Sequence, residues 1–184
     1  MNFQHYINHV AYCPDERYII FIHRWQVPGG EFVSRLLRYD LSERKLMSLL
    51  DYGHVSHYCW KTNTEMMIYA TNCEHKKGYM IVNIETGAVR MLLGLPSEDG
   101  HPSYSKDGRW ILTDTYPDHK RKQYLFLFDT REDKLYRLDD LYSPLKYYND
   151  FRCDLHPRWS RDNKHICVDN TQSGKRSLKI YNLS

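Results

Sequence analysis

Short apolar runs separated by polar turns mark the chain from end to end. YIIFI, MMIYA, WILTD and HICVD are among the most apolar runs, and polar sequences such as KDGR, ETGA and TREDK stand between runs of this kind. Runs of β-branched and aromatic residues bounded by turn residues are typical of β-strands. No stretch keeps an apolar period of 3.6 residues with helix caps, so the pattern predicts an all-β chain without a long helix.

A sequence repeat organises these strands. HPSYSKDGRWILTD, which begins at His101, returns as HPRWSRDNKHICVD from His156, and looser copies begin at His9 and His57. In every copy an aromatic residue stands three positions after the histidine, Asp or Asn six positions after it, and Ile or Met ten positions after it. The copies are 48, 44 and 55 residues apart. Four predicted strands in a period of this length indicate one blade of a β-propeller.

The repeats therefore predict a single β-propeller domain over residues 1–184, with four-stranded blades at approximately 9–53, 54–100, 101–155 and 156–184. The last copy ends after its third predicted strand. Residues 1–7 either complete that blade or belong to a preceding one. Four blades either close as a small ring or form an open part of a larger propeller. In the open case we expect a homo-oligomer or a partner chain, because repeat arrays need caps and unpaired strand edges associate.

The four repeat histidines are predicted to lie at one rim of the fold. Strands of a blade are antiparallel, so the start of strand 1 lies beside the loop between strands 2 and 3. That rim also collects many basic and aromatic residues, which suit an anionic ring such as an acidic sugar. Four of these are the candidate substrate-binding residues: Trp25, Lys120, Arg121 and Arg152.

Two interpretations of the histidines stay open on the residues alone. In the structural one, each ring bonds the backbone of a neighbouring blade. In the functional one, the imidazoles bind a divalent metal or move a proton at the mouth of a channel. Asp99, Asp154 and His54 are candidates to complete a metal shell.

Composition narrows the class of protein. A formal charge of +3 and a pI near 8.5 are too mild to predict a nucleic-acid partner. No apolar run is long enough to cross a bilayer, and the N-terminal sequence lacks the features of a secretion signal. The five cysteines are odd in number and form no CxxC pair. They predict free thiols and a cytoplasmic location.

Three stretches resemble the propeller of the oligogalacturonate lyase family and its TolB-like relatives. They are NHVAYCPDERYIIFIHRWQVPGGEFVSRLLRYDL, DGHPSYSKDGRWILTDTYPD and RCDLHPRWSRDNKHICVDNTQSGKRSLKIYNLS. The resemblance implies four blades of a seven-bladed fold. It also implies β-elimination on short pectic uronides, with a manganese ion that grips the uronate carboxylate and a histidine base that takes the C5 proton. The family holds its manganese with His and Gln, but no Gln stands beside a strand-1 histidine here; His54 is the nearest equivalent.

Carried over to this sequence, the resemblance makes His9 the candidate catalytic base and Arg24 a candidate catalytic residue that holds a carboxylate. It makes His57, His101 and His156 the candidate metal ligands. The first hypothesis is a propeller that binds, or in its stronger form cleaves, an acidic oligosaccharide. The alternatives are a non-catalytic TolB-like or WD-like interaction scaffold and an inactive truncated relative, so the sequence leaves enzyme activity open.

Overall fold

The computed structural model describes residues 3–30 and 32–183 and consists of β-strands and turns. Fifteen strands form four antiparallel sheets across these residues. The only helical element described is a three-residue 3-10 turn, Asn149–Phe151. Accordingly, no helix within the described ranges has the length and apolar character needed to span a membrane. The prediction of an all-β chain without a long helix is confirmed.

The first compact unit ends at Leu93 and contains two four-stranded blades. The strands of its first blade are β1 His5–Tyr12, β2 Tyr18–Gln26, β3 Phe32–Asp40 and β4 Lys45–Leu50. Those of its second blade are β5 Val55–Trp60, β6 Glu65–Thr71, β7 Lys77–Asn83 and β8 Val89–Met91. Each sheet runs in sequence order, so every strand pairs with the strand that precedes or follows it in the chain.

The second unit begins at Gly94 and contains the other two blades. The strands of the third blade are β9 Ser103–Tyr104, β10 Trp110–Asp114, β11 Lys122–Asp129 and β12 Lys134–Tyr142. Those of the fourth are β13 Arg158–Trp159, β14 His165–Asn170 and β15 Ser177–Asn182. The β-propeller-type fold with an incomplete last blade is thus confirmed. The prediction that the four blades form a single domain stays a prediction.

The N-terminal segment has a different place from the two considered above. His5 pairs with Trp25 and Ile7 with His23, so residues 5–7 are the start of the first blade's own first strand. Both earlier interpretations, completion of the last blade and membership of a preceding one, are therefore wrong for these residues. Residues 1 and 2 of that prediction lie outside the described ranges.

The positions that recur between the repeats have local structural roles. Six residues after His101, Asp107 accepts a hydrogen bond from Ser105 Oγ at 2.6 Å. Ser105 Oγ in turn accepts the backbone N–H of Trp110 at 2.9 Å. Asp162 and Ser160 repeat this contact at 2.5 Å. These polar side chains hold the turn between strands 1 and 2, because they satisfy backbone groups that leave the ladder.

The register of the second blade differs by one residue from the sequence alignment. Tyr104 pairs with Ile111, the residue seven positions later, and Trp159 pairs likewise with Ile166. Trp60, however, pairs with Met66 rather than with the aligned Met67. Both methionines are buried. Because either of them fits the apolar position of the repeat, the sequence does not reveal the shift in register.

Each unit has its own apolar core. In the first unit, Ile20 and Ile22 of β2 pack in one cluster with Ile68 of β6 and Met80 of β7. In the second, Leu112 and Leu125 of the third blade pack in a cluster with Ile166 and Val168 of the fourth. Alternate strand residues face each cluster, as in the packing of blade on blade. Burial of these side chains is the main stabilising contribution to each unit.

Candidate functional site

Within each blade the antiparallel register puts the start of the first strand beside the end of the second, whereas the position of all four repeat histidines at one rim stays a prediction. In the first blade the start of β1 lies beside the end of β2, where His5 opposes Trp25. His9 lies at an irregularity in β1, between Asn8 and Ala11, and has a positive φ of 50°. His57 lies at a similar irregularity in β5. Strand irregularities of this kind re-aim side chains, which explains why the repeat histidines leave the regular ladder.

His9 and His57 form a ring pair in the first unit. Their ring centroids are 5.2 Å apart in an edge-to-face arrangement. The hydroxyl of Tyr58 donates to the backbone carbonyl of His9, and burial raises the pKa of Tyr58 to about 12. His57 Nδ1 lies 2.9 Å from Ser56 Oγ. His54, also in this unit, packs its ring edge-to-face on Tyr69.

His101 and His156 form a closer pair in the second unit, with ring centroids 4.2 Å apart. Asp114, at the end of β10, organises both residues. Its carboxylate lies 2.9 and 3.1 Å from His101 Nδ1, and it accepts the backbone N–H groups of His101 at 2.6 Å and of His156 at 3.1 Å. The Asp114 side chain is completely buried. One carboxylate therefore fixes the backbone of two repeats and the ring of one histidine.

Asp154 completes a group of three candidate ligands with these histidines. One donor atom each from His101, Asp154 and His156 lies within 4.8 Å of the others. Asp154 belongs to the long link between the third and fourth blades and is buried. Over the part of the chain that the structure describes, this is the group of His, Cys, Asp or Glu side chains that is close enough to hold a metal ion.

The pKa values of the two imidazoles shift in opposite directions. Burial by itself lowers the pKa of His101, but the hydrogen bond and charge of Asp114, with the charges of Asp154 and Asp99, raise it overall. Burial and the charge of His101 lower the pKa of His156. Like charges at this distance disfavour each other, so a proton on one of the two rings opposes a proton on the other.

The donor set fits a divalent cation of the manganese, iron or zinc type. Imidazole nitrogen and carboxylate oxygen are both ligands of such ions, and three protein ligands leave positions for another molecule. Because Asp114 accepts from Nδ1, the neutral His101 ring carries its lone pair on Nε2. A carboxylate behind a ligating histidine is the usual support of a metal site.

Arg152 and Tyr116 border this group. The Arg152 Nε lies 2.7 Å from Asp154 Oδ1, and its guanidinium lies 4.3 Å from the centre of the Tyr116 ring. The same ring packs edge-to-face on His101, with centroids 5.8 Å apart. Burial and the nearby carboxylates of Asp99 and Asp154 raise the pKa of Tyr116, which stays protonated at neutral pH.

Two open pockets of the second unit adjoin these residues. One has a volume of 410 Å³ and is lined by Arg152, Asp154, His156, Asp169 and Arg176, among others. The other, of 630 Å³, is lined by Tyr116, Tyr124 and Phe126 together with Glu98, Asp99 and Asp118. Both volumes are within the range of roughly 300–1,000 Å³ that is usual for small-molecule sites.

The remaining candidate residues of the first unit have structural contacts. Arg24 donates to the backbone carbonyl of Val55 at 3.3 Å, a bond from the first blade to the second. Trp25 lies beside the stacked rings of His5 and His23, with Arg35 over its own ring at 5.8 Å. Their predicted roles toward a substrate stay predictions.

The two cations of the β10–β11 loop differ from each other. Arg121 donates to the carbonyl of Ser143 at 3.0 Å and to that of Tyr147 at 2.7 Å, so its guanidinium holds a neighbouring loop. Lys120 is exposed, and its backbone N–H donates to Asp118 at 2.8 Å. Neither of them lines the two pockets described above.

Two acidic partners of the histidines, Asp114 and Asp169, were not predicted from the sequence. Asp114 and Asp169 each follow a repeat histidine by thirteen residues, in the third and fourth copies only. His156 Nδ1 lies 3.5 Å from Asp169, which also binds Arg158 at 2.8 Å. A search for residues that the last two copies share and the first two lack would have found this His–Asp spacing.

Comparison with known proteins identifies the fold. No protein-family model matches the chain, and no curated protein matches its sequence. TolB from Acinetobacter baumannii superposes with a TM-score of 0.65 at 15% identity, over 97% of this chain and 41% of that one. An oligogalacturonate lyase in complex with manganese superposes with a TM-score of 0.63 at 13% identity, over 98% of this chain and 51% of that one. The chain has a β-propeller fold similar to those of TolB and oligogalacturonate lyase.

A second oligogalacturonate lyase, from Vibrio parahaemolyticus, extends this likeness. It superposes with a TM-score of 0.58 at 12% identity, over 99% of this chain and 66% of that one. The chain thus spans about two fifths to two thirds of the length of these three structures. At such identities the likeness concerns the fold, so chemistry has to be argued from the site.

Proposed function

We propose that the second unit binds a divalent metal ion through His101, His156 and Asp154 and, with its help, the carboxylate of an acidic saccharide. The observation that carries this proposal is the three-residue group, with donor atoms within 4.8 Å of one another and with Asp114 holding His101. A manganese complex among the structures of similar fold supports the choice of metal.

The surroundings of the group suit an anionic ligand. Arg152 and Arg176 both line the 410 Å³ pocket that contains Asp154 and His156. Arginine binds carboxylates with two parallel hydrogen bonds, and a neighbouring cation strengthens that attraction where water is partly excluded. Arg152 would therefore hold a sugar carboxylate at the pocket wall beside the metal group.

Binding is the activity that this arrangement supports best. A bound divalent cation would stabilise negative charge on a uronate, which is what β-elimination requires. Cleavage needs a base as well, and the candidate base His9 belongs to the first unit. We therefore keep lyase activity as a hypothesis, to be checked by the ultraviolet absorbance of an unsaturated uronide product.

The proposal is tested by calorimetric titration of galacturonic acid into the protein with and without manganese. We expect heat of binding in the presence of the metal and none in its absence. Arg152→Gln should weaken binding at least about tenfold, because it removes a charge-assisted hydrogen bond. Arg161→Gln is the matched control, since Arg161 is an exposed turn residue of the same unit. Equal heats with and without manganese would contradict the proposal.

A second candidate, an interaction scaffold, is favoured by the outer strand of the last blade. Leu178 and Ile180 of β15 are 64% and 66% exposed. The alternate residues Lys179 and Tyr181 each donate a hydrogen bond to Asp139. We propose that a second copy of the chain covers this apolar stripe. Ile7 and Tyr12 of β1, also more than half exposed, offer the complementary apolar surface on that copy.

A further inference from the structure

The link between the third and fourth blades carries an exposed apolar patch. Leu145, Tyr148 and Phe151 are 72%, 61% and 70% exposed, and we call these three residues the link patch. None of them lines the two pockets described above. Single exposed apolar side chains are ordinary on a protein surface, but three large ones in one short segment mark an interaction surface.

Hydrogen bonds hold the backbone of the link patch in place. Arg121 donates to the carbonyl of Tyr147 at 2.7 Å, and Arg176 donates to the carbonyl of Phe151 at 3.0 Å. The hydroxyl of Tyr147 donates to the carbonyl of Gly174 at 3.1 Å. The segment is thus fastened to two other loops of the same unit. A partner that binds the patch does not have to order this backbone first, which lowers the cost of binding.

The three loop segments that these bonds connect have an excess of positive charge. The segments are 118–121, 143–151 and 173–176. They contain two carboxylates, of Asp118 and Asp150, against five cations, which gives a net charge of +3. The cations are Lys120, Arg121, Lys146, Lys175 and Arg176. The formal charge of the whole chain is also +3, so its positive excess is matched in these loops alone.

The contacts of the cations leave this charge in place. Arg121 and Arg176 donate to neutral backbone carbonyls. Lys146 Nζ lies 5.3 Å from the centre of the neighbouring Tyr147 ring. An aromatic ring and a carbonyl group stabilise a cation without cancelling its charge. The link patch is therefore apolar side chains set among positive charges, the composition of a surface that binds an anionic lipid interface.

We propose that the link patch binds the surface of an anionic lipid bilayer, with its three apolar side chains among the headgroups and the surrounding cations on lipid phosphates. A peripheral contact of this kind needs no apolar run that spans the bilayer. A folded polypeptide would have to supply a matching cavity, whereas a fluid bilayer accepts protruding side chains in any arrangement. An acidic saccharide would use the cations and the aromatic rings, but it would leave Leu145 without a role.

The test is co-sedimentation of the whole chain with phosphatidylcholine vesicles made with and without phosphatidylglycerol. The buffer contains no divalent metal, so that the proposed metal group cannot bridge to a lipid phosphate. We expect binding to the anionic vesicles at low salt, weaker binding as salt is added, and at least about tenfold weaker binding to the neutral vesicles.

Variants assign the binding to the link patch. Substitution of Ser for both Leu145 and Phe151 should weaken binding at least about tenfold, because the apolar contact is lost. Lys146→Gln should weaken it by about fivefold. Leu46→Ser, at an exposed leucine of the first unit, and Lys106→Gln, at an exposed turn lysine of the second, are the matched controls and should bind like the parent. A cooperative thermal transition checks that each variant is folded.

Three results would overturn the proposal. The first is no binding of the folded parent to anionic vesicles, and the second is equal binding by the parent and the double serine variant. The third concerns poly-glutamate, which offers negative charge without an apolar phase. If the parent binds poly-glutamate and the double serine variant does not, the partner is an acidic polypeptide. The proposed function is independent of these outcomes, because saccharide binding is measured in solution with manganese.

Discussion

Asp114 and His101 form the central contact of the second unit. The carboxylate of Asp114 lies 2.9 Å from His101 Nδ1 and also accepts the backbone N–H of His101 and that of His156. Because Asp114 is completely buried, these bonds are made without competition from water. The contact joins two repeat units at the point where the candidate ligands come together.

Asp114→Asn is predicted to weaken both the fold and the metal site. Loss of a buried charge with three hydrogen-bonded partners should lower the free energy of unfolding by about 3 kcal/mol. Loss of the support behind His101 should weaken metal binding by about 10- to 100-fold. Denaturant titration and manganese calorimetry measure the two effects. Asp169→Asn is the matched control for the stability measurement and should cost no more than about 1 kcal/mol, since its ion pairs are partly exposed.

Gly100→Ala is predicted to displace His101. A Cβ at residue 100 would lie 1.9 Å from the carbonyl oxygen of Asp114, and backbone on both sides leaves no flexible group to move. We expect a loss of at least about 3 kcal/mol or failure to fold. Gly108→Ala, at a turn glycine with no atom within 4 Å of the added Cβ, should cost about 1 kcal/mol through its positive φ. Similar thermal midpoints for the two variants would contradict the close approach.

Much of the fold follows from the sequence because the repeat expresses local rules. Turn residues and the alternation of apolar positions depend on residues that are close in the sequence. The missing fourth strand of the last copy is likewise visible from the repeat itself. The pairing of His5 with Trp25 could not be predicted in this way. A strand at the chain terminus fits several sheet edges equally well by its pattern, and only tertiary packing selects one of them.

The candidate site was predictable in part. His101, His156 and Asp154 were expected as ligands, and the structure brings these three together. The role of Asp114 was not predicted. Asp114 ends an apolar strand, and the pattern of that strand does not indicate a partner thirteen residues earlier in the chain. The contact also depends on Gly100, which lets the two backbone segments approach.

Asp129 is predicted to make the second unit sensitive to acid. Hydrogen bonds from Arg109 lower the pKa of Asp129 to about 2, against an unfolded value near 4. The stabilisation is therefore complete above about pH 4 and is lost as the pH falls through about 2. Asp129→Asn should melt below the parent protein at pH 5, and the difference should shrink toward pH 2. A difference that does not change with pH would contradict this assignment.

Self-association is predicted to depend on the apolar stripe of β15. Light scattering should find a dimer or larger species for the parent chain. Substitution of Lys for both Leu178 and Ile180 should give a monomer with an unchanged thermal midpoint, because both side chains are exposed. Leu145→Lys, which alters an exposed loop leucine of the same unit, is the control and should leave the association unchanged. A monomeric parent chain would rule out the second copy as the occupant of the stripe.

The metal site itself is tested most directly by titrating manganese into the parent protein and three histidine variants. Electron paramagnetic resonance and calorimetry measure the binding. The parent and His165→Ala, which removes an exposed imidazole at the start of β14, should each bind one ion per chain. His101→Ala and His156→Ala should lose that binding while keeping a cooperative thermal transition. Equal binding by all four proteins, or no binding by the folded parent, would contradict the assignment of His101, His156 and Asp154 as a metal centre.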